Sequence, residues 1–340
     1  MVDRRTLYIH DLVREVNENS WIINDGALIT RHHSKPAQPY WEDGEGSFFT
    51  MEEAPEPRPS TRRISDSCPI TDACRMSTNA WGIFKIGQAY LNVTLNIGAQ
   101  QHNTLEVLSK RSYDFMIPTE YCHAVYGIYY YIVHTILPGK SIAEVWTKTK
   151  DDALKTKWAQ QIAEAYDQLS KWHGDRVCGV DGGNLAYTFS TKSPNWHDFS
   201  NFAPEALQKN YKEIGLDCSE FVFAHNNTMP LAFMVDETKG LLGINFWDSA
   251  GFVPRDFVRT ATRTYSIRNS VVKCKEYGWT AQDIDEWDIK IDIALEEKGF
   301  REFWYARGVW QLPDDHPNKA ISVASLKDEV LLKSWNRWLR

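Results

Sequence analysis

The sequence predicts an α+β fold of two lobes, a small β-rich lobe followed by a larger, mainly helical one. Three observations carry that expectation. The chain has 340 residues, and beyond about 250–300 residues single cores stop growing and chains divide. Between Ala80 and Leu137 short β-prone runs surround one helical stretch and close on Pro138-Gly139. Further on, Leu154, Trp158, Ile162, Tyr166 and Leu169 fall on one face of a helix.

Composition narrows the function classes. With 38 Lys+Arg against 45 Asp+Glu the net charge is −7, which argues against a nucleic-acid partner. A hydrophobic share of 43% and a charged share of 24% are those of a packed globular chain. Aromatics are in excess, with 14 Trp, 15 Tyr and 15 Phe, so some rings are expected to line a cavity. The most apolar run, Tyr126 to Leu137, contains His134 and falls short of the roughly 18 residues that a membrane span requires. Neither a membrane partner nor a secretory signal is expected, because Met1 to Asp11 lacks an uninterrupted apolar core. A cytoplasmic chain is therefore anticipated. The six cysteines are scattered without a C-x-x-C pair and read as reduced thiols, with no metal site. His32-His33 point apart in any regular chain and read as a surface loop. Two glycosylation sequons, at Asn92 and Asn226, read as chance matches without a secretory signal.

The elements follow in order. Ile9, Leu12, Val13 and Val16 recur at helical spacing, so the first twenty residues are predicted to form an amphipathic helix. From Ser34 to Ala73 six prolines, an acidic patch at Glu42-Asp43-Gly44-Glu45 and the pair Arg62-Arg63 predict an extended surface segment, either a passive linker or a lid. Trp41, Phe48 and Phe49 within it favour docking over free solvation. Ala80 to Leu95, interrupted by Gly82 and Gly87, reads as a hairpin. A helix over Gln101 to Lys110 follows, then a buried strand over Tyr126 to Leu137. Strands are predicted at Phe221 to Ala224, Phe233 to Val235 and Leu241 to Phe246, and a helix at Leu326 to Leu339. The resulting division is 1–79 for the N-terminal helix and extended segment, 80–137 for the small lobe and 138–340 for the helical lobe.

Chemistry concentrates where strands empty into polar loops. Phe221-Val222-Phe223-Ala224 runs into His225-Asn226-Asn227, and Pro230 keeps that loop from becoming a helix. Gly243-Ile244-Asn245-Phe246-Trp247-Asp248 ends the neighbouring strand. Polar side chains at strand ends are commonly presented to ligands, although a bland pair of core strands has the same pattern.

Here the residues resemble a family. His225-Asn226-Asn227-Thr228-Met229-Pro230-Leu231-Ala232-Phe233-Met234-Val235-Asp236 is similar to the catalytic-loop signature of aminoglycoside phosphotransferase-like kinases, especially their fungal branch. Gly243 to Pro254 resembles the metal-binding segment of that family. Ile83 to Val93 resembles its first hairpin, Thr104-Leu105-Glu106 its small-lobe helix, Leu137 to Ile142 its post-hinge segment and Val180-Asp181-Gly182-Gly183 a further turn. The resemblance spans Ala80 to Arg259 and implies a two-lobed, protein-kinase-like fold.

The departures from that pattern are chemical. The position of the catalytic aspartate falls on Asn227, whose amide is no base near neutral pH. The metal-binding asparagine falls on Ala232 and the metal-binding aspartate on Phe246, a ring where a dication needs a carboxylate oxygen. The phosphate-pairing lysine falls on Asn92, or on Thr94 if the strand is shifted by two, so Glu106 has lost its expected partner. Asp248, two residues past Phe246, is the one nearby carboxylate that could compensate. Phosphoryl transfer relies on positioned metal, cationic charge and an oriented nucleophile, and these parts are missing together.

The expectation is thus a repurposed enzyme, working without Mg·ATP and with no cofactor, that binds an apolar or aromatic small molecule and promotes a cyclisation or rearrangement of the fungal secondary-metabolism type. Asn227, Asp248, His225 and Asn245 are its candidate catalytic residues. Phe246, Trp247, Ala232, Met229 and Phe233, with Asn92, Glu106 and Thr135 from the small lobe, are its candidate substrate contacts. The alternatives are a small-molecule phosphotransferase with a migrated metal site and a non-catalytic pseudokinase binding module. For single residues the competing readings are structural: His225 as a backbone tie, Phe246 as core, Asp248 as a partner of Arg255, Asp236 as a turn residue. The oligomeric state stays open.

Overall fold

The computed structural model describes residues 9–73, 81–192, 199–262, 277–312, 314 and 316. The chain divides into two compact units, one of Met1–Asn96, Gln100–Lys110 and Ile117–Pro138, the other of Ile97–Ala99, Arg111–Met116 and Gly139–Arg340.

The first unit is β-rich. After a short helix α1 (Ile9–Leu12) come β1 (Val13–Asn17), β2 (Ser20–Ile23), β3 (Ala27–His32), β4 (Trp41–Glu42), β5 (Phe48–Glu53) and β6 (Arg62–Arg63). They form an antiparallel sheet in the order β4-β5-β3-β2-β1-β6. The β2–β3 turn is made by Asn24 and Asp25 at φ 48° and 55°, the left-handed region that these two residue types tolerate. A second antiparallel sheet joins β7 (Ile70–Asp72), β8 (Trp81–Ile86), β9 (Ala89–Leu95), β10 (Glu120–Tyr126) and β11 (Tyr129–Thr135), ordered β10-β11-β9-β8-β7.

Strand alternation then decides what each face of the second sheet meets. Leu91, Val93, Tyr131 and Val133 face the first sheet and share one core with Trp21, Ile23, Ile29, Trp41 and Phe49. Trp41 Nε1 donates to Ile86 O at 2.9 Å across that core. Asn92 pairs with Ile132 on the opposite face, which is covered by α2 (Gln101–Ser109) through buried Gln101, Leu105 and Leu108.

Two expectations change here. Within the predicted N-terminal helix only Ile9–Leu12 is helical and Val13–Asn17 is strand, because Val13 and the run Trp21-Ile22-Ile23 are buried by cross-strand pairing and β-branched side chains favour that pleated surface. Residues 34–73 contribute strands to both sheets, and Trp41 and Phe49, each 1% exposed, are core. Docking into the sheet core is therefore what this segment does, and residues between Leu12 and Ile70 share a core with residues between Phe84 and Val133. The predicted hairpin is present as β8–β9, turning at Gly87 (φ 59°), while Gly82 lies inside β8. The predicted strand over Tyr126 to Leu137 is β11, preceded by a partner that the sequence reading did not separate, β10.

The second unit begins at β12 (Lys140–Ser141) and α3 (Ile142–Val145) and continues with α4 (Asp152–Ser170), β13 (His173–Gly174), α5 (Pro204–Ile214) and β14 (Phe221–Ala224). Then come β15 (Phe233–Asp236), β16 (Gly240–Ile244), β17 (Gly251–Pro254), α6 (Phe257–Thr262), α7 (Ala281–Glu297) and α8 (Trp304–Gln311). Asp151 caps α4 by accepting from Leu154 N, and Thr280 with Asp283 forms a capping box on α7. Pro204 opens α5 and Gly215 closes it in the left-handed conformation. The apolar face predicted for α4 is buried, as Trp158, Ile162, Tyr166 and Leu169. The small sheets β12-β15-β16 and β13-β14-β17 bring the ends of β14 and β16 side by side. The predicted helix over Leu326 to Leu339 lies outside the described residues.

Candidate functional site

The loop after β14 and the loop after β16 are tied together by one imidazole. His225 is completely buried, with Nδ1 2.8 Å from Asn227 O and Nε2 2.7 Å from Asn245 O. Burial drives its pKa down to about 4 against the pull of these carbonyl oxygens, so at neutral pH the ring has one N–H to donate. Trp247 packs edge-on to the ring at 4.5 Å and Phe233 lies 6.2 Å away. The backbone is fixed as firmly: Asn245 N donates to Ala232 O at 2.8 Å, and Asn227 Oδ1 accepts from Met229 N at 3.2 Å. Tyr166 of α4 reaches up from below, its hydroxyl donating to Asn227 O at 3.5 Å.

Both loops contain a left-handed residue. Asn226 takes φ 60°, and its Nδ2 donates to Ser249 O at 3.0 Å. Phe246 takes φ 63° and ψ 65°, a conformation that costs a non-glycine residue of order 1–3 kcal/mol. That turn aims the following 3₁₀ segment, Trp247–Ser249, so that Trp247 is core while Phe246 and Asp248 stay partly open.

The result sorts the predicted residues. His225, Ala232, Phe233, Asn245 and Trp247 are buried; Ala232, Phe233 and Trp247, expected as ligand walls, are instead the packing that holds the loops. His225 is a backbone tie, out of solvent reach. Asn227, Met229, Phe246 and Asp248 retain partial exposure. Asn245 Oδ1 and Asn226 Oδ1 are buried without a hydrogen-bond partner, an arrangement that native folds seldom leave unexplained. Sequence reasoning missed Asn226 and Tyr166; the only signal for either was an asparagine in a polar loop and a tyrosine on an otherwise apolar helix face.

Asp248 is the chemically distinctive group. Desolvation pushes its carboxyl up to about 6, opposed by a hydrogen bond from its own backbone N–H. Arg255, the partner that a structural reading would give it, bonds Ser170 Oγ and Lys298 O and lies 3.9 Å from Asp167. A carboxyl titrating near 6 exchanges a proton readily near neutral pH. Among the described residues no cluster of three metal-ligating side chains occurs. Two cavities of this unit lie elsewhere, one of about 140 Å³ beside Asp217, Arg255 and Arg301, the other of about 480 Å³ along α5.

Three predicted contacts belong to the first unit. Asn92 is buried, and its Nδ2 donates to Gln101 Oε1 at 3.3 Å. The side chain facing Asn92 is thus Gln101. Glu106 sits on the exposed side of α2 and pairs with Lys110 at 2.7 Å, because a helix turns residues 101 and 106 by well over a quarter-circle apart. Thr135 closes β11, its Oγ1 accepting from Thr119 N at 2.9 Å.

No family model matches the chain, and no curated protein matches it. Among solved structures it is similar to a thermostable mutant of the aminoglycoside phosphotransferase APH(4)-Ia in apo form, at 13% identity and a TM-score of 0.39 over 72% of this chain and 92% of that one. It is also similar to an aminoglycoside-3'-phosphotransferase of type VIII, at 11% identity and a TM-score of 0.36 over 64% and 90%, and to monomeric WbdD, at 13% identity and a TM-score of 0.29 over 74% and 45%. At such scores these likenesses carry no argument about activity.

Proposed function

We propose that this chain is a protein-kinase-like enzyme of the fungal branch of the aminoglycoside phosphotransferase-like family that has exchanged Mg·ATP phosphoryl transfer for proton-transfer chemistry on a small, largely apolar molecule. The observation that supports this reading best is Asp248: a partly open carboxyl, without a cation beside it among the described residues, raised to about 6 at the mouth of a rigid loop pair. In the proposed reaction Asp248 moves the proton, acting as base when ionised and acid when protonated. The Asn227 amide, held by Met229 N, orients the substrate and offers its N–H groups to developing negative charge. Phe246 and Met229 supply apolar contact. Holding a flexible precursor in one reactive conformer can itself remove about 7–11 kcal/mol from a barrier, which suits a cyclisation or rearrangement in secondary metabolism.

The test pairs two measurements on the purified chain. Millimolar Mg·ATP is expected to leave the melting temperature unchanged, since only a ligand that selects the folded state raises it; a clear rise would refute the reading. Incubation with metabolite extracts is expected to consume a neutral compound without ATP, and Asp248→Asn to stop that consumption; turnover unaffected by the substitution would move the chemistry away from these loops.

A further inference from the structure

The buried charges of this protein obey one rule with a single exception among the described residues. Glu15 pairs with Arg62, Lys155 with Glu286 at 2.6 Å, Asp256 with Arg301, and Arg259 forks onto Asp292 at 2.8 and 3.0 Å. Arg307, on α8, is 2% exposed and pairs with no carboxylate. Its Nε donates to Phe189 O at 2.9 Å and its Nη1 to Gln311 Oε1 at 3.0 Å, which leaves Nη2 and one Nη1 hydrogen without an acceptor among the described residues. Phe189 lies beneath the guanidinium at 5.6 Å. The charged or titratable neighbours that act on it are two neutral phenols, Tyr187 and Tyr211, and the Tyr211 hydroxyl is engaged with Ser190 Oγ at 2.6 Å. Burial without a counter-charge lowers its pKa to about 10.

An uncompensated buried cation is costly, and folds normally avoid one by pairing it. Here the partner is missing while the donor edge stays in place. A guanidinium presents its N–H groups as a planar fork that matches a carboxylate oxygen pair, and it does so with less hydration to lose than an ammonium. The Phe189 ring beneath the guanidinium, itself only partly buried, suits an apolar or aromatic body attached to that carboxylate.

We propose that Arg307 is the anchor of an organic-carboxylate site, in which the Nη edge takes both oxygens of a small-molecule carboxylate and the Phe189 ring holds its apolar part. The site gives Arg307, the one buried cation among the described residues without a carboxylate partner, its counter-charge on binding. It stands independently of the proton-transfer chemistry assigned to Asp248 and uses none of those residues.

The experiment follows the melting temperature of the full chain with benzoate, 3-phenylpropionate and inorganic phosphate, each against sodium chloride at equal ionic strength. The expected result is a concentration-dependent rise with the arylcarboxylates, larger than with phosphate. Arg307→Gln keeps a donor of similar shape but no charge; it is expected to weaken arylcarboxylate binding by roughly 30-fold or more while leaving the ligand-free chain as stable as the wild type or more so. Arg307→Lys, which keeps the charge but loses the fork, is expected to bind with intermediate strength. Absence of any arylcarboxylate shift in the wild type overturns the proposal, as does a shift that Arg307→Gln retains. A shift with phosphate alone overturns the carboxylate assignment. If Arg307→Gln does not fold, the wild-type titrations and Arg307→Lys decide.

Discussion

Asp248→Asn should separate stability from function at this site. An ordinary aspartate titrates near 3.8, whereas Asp248 is raised to about 6 by desolvation. Between those values the folded chain holds a proton that the unfolded chain has released, so stability falls as pH rises through this window and the loss is complete above about 6. The raised value corresponds to about 3 kcal/mol, and water at the partly open carboxyl reduces this to roughly 1–3 kcal/mol. Asparagine has nearly the same shape and no charge to desolvate. The variant should therefore melt higher than the wild type at pH 8, by about 2–4 °C per kcal/mol in a chain of this size, and match it below pH 4. Paired thermal denaturation curves at pH 4, 6 and 8 measure the difference directly. A variant that melts lower at pH 8, or a difference that does not change with pH, would refute the claim that Asp248 is held at an energetic cost. Loss of activity in a stabilised variant is what a strained functional group implies.

Further outcomes follow from other contacts. Asp292→Ala strips Arg259 of its bidentate partner and leaves a buried guanidinium with Phe300 O at 3.1 Å and the exposed carboxylate of Glu296 at 3.2 Å; chemical denaturation should show a loss of about 3–5 kcal/mol, and a near-neutral result would mean that these partners suffice. Gly139→Ala meets two obstacles, φ 94° and a Cβ 2.7 Å from Val235 O, so it should lower the melting temperature by several degrees. His134 and His225 are both depressed from 6.5 to about 4 by burial. The unfolded chain then binds protons that the folded chain refuses, so their contribution is complete above pH 6.5 and is lost as pH falls toward 4. Replacing His134 by Gln should flatten the acid limb of the stability curve, and an unchanged limb would place its cause elsewhere.

The alternation of lobes was legible because it rests on local signals. A β-branched hairpin, a one-faced helix at Leu154 to Leu169 and a Pro138-Gly139 stop each act over a few residues. The N-terminal sheet was not legible, since Ile9, Leu12, Val13 and Val16 satisfy helical spacing on paper and only pairing with Ser20–Ile23 and Arg62–Arg63 makes strand the better burial. Tertiary partners override such weak local preference.

At the candidate site the same division holds. Residue types alone established that Asn227, Ala232 and Phe246 carry no charge, because charge and hydrogen-bonding capacity are properties of the side chain itself. Which of them a ligand can reach, that the His225 ring is buried between Asn227 O and Asn245 O, that Gln101 faces Asn92 in place of Glu106, and that Arg307 is buried without a counter-charge among the described residues were decided by packing. Burial and desolvation depend on neighbours distant in the chain, and only the folded chain brings those neighbours together.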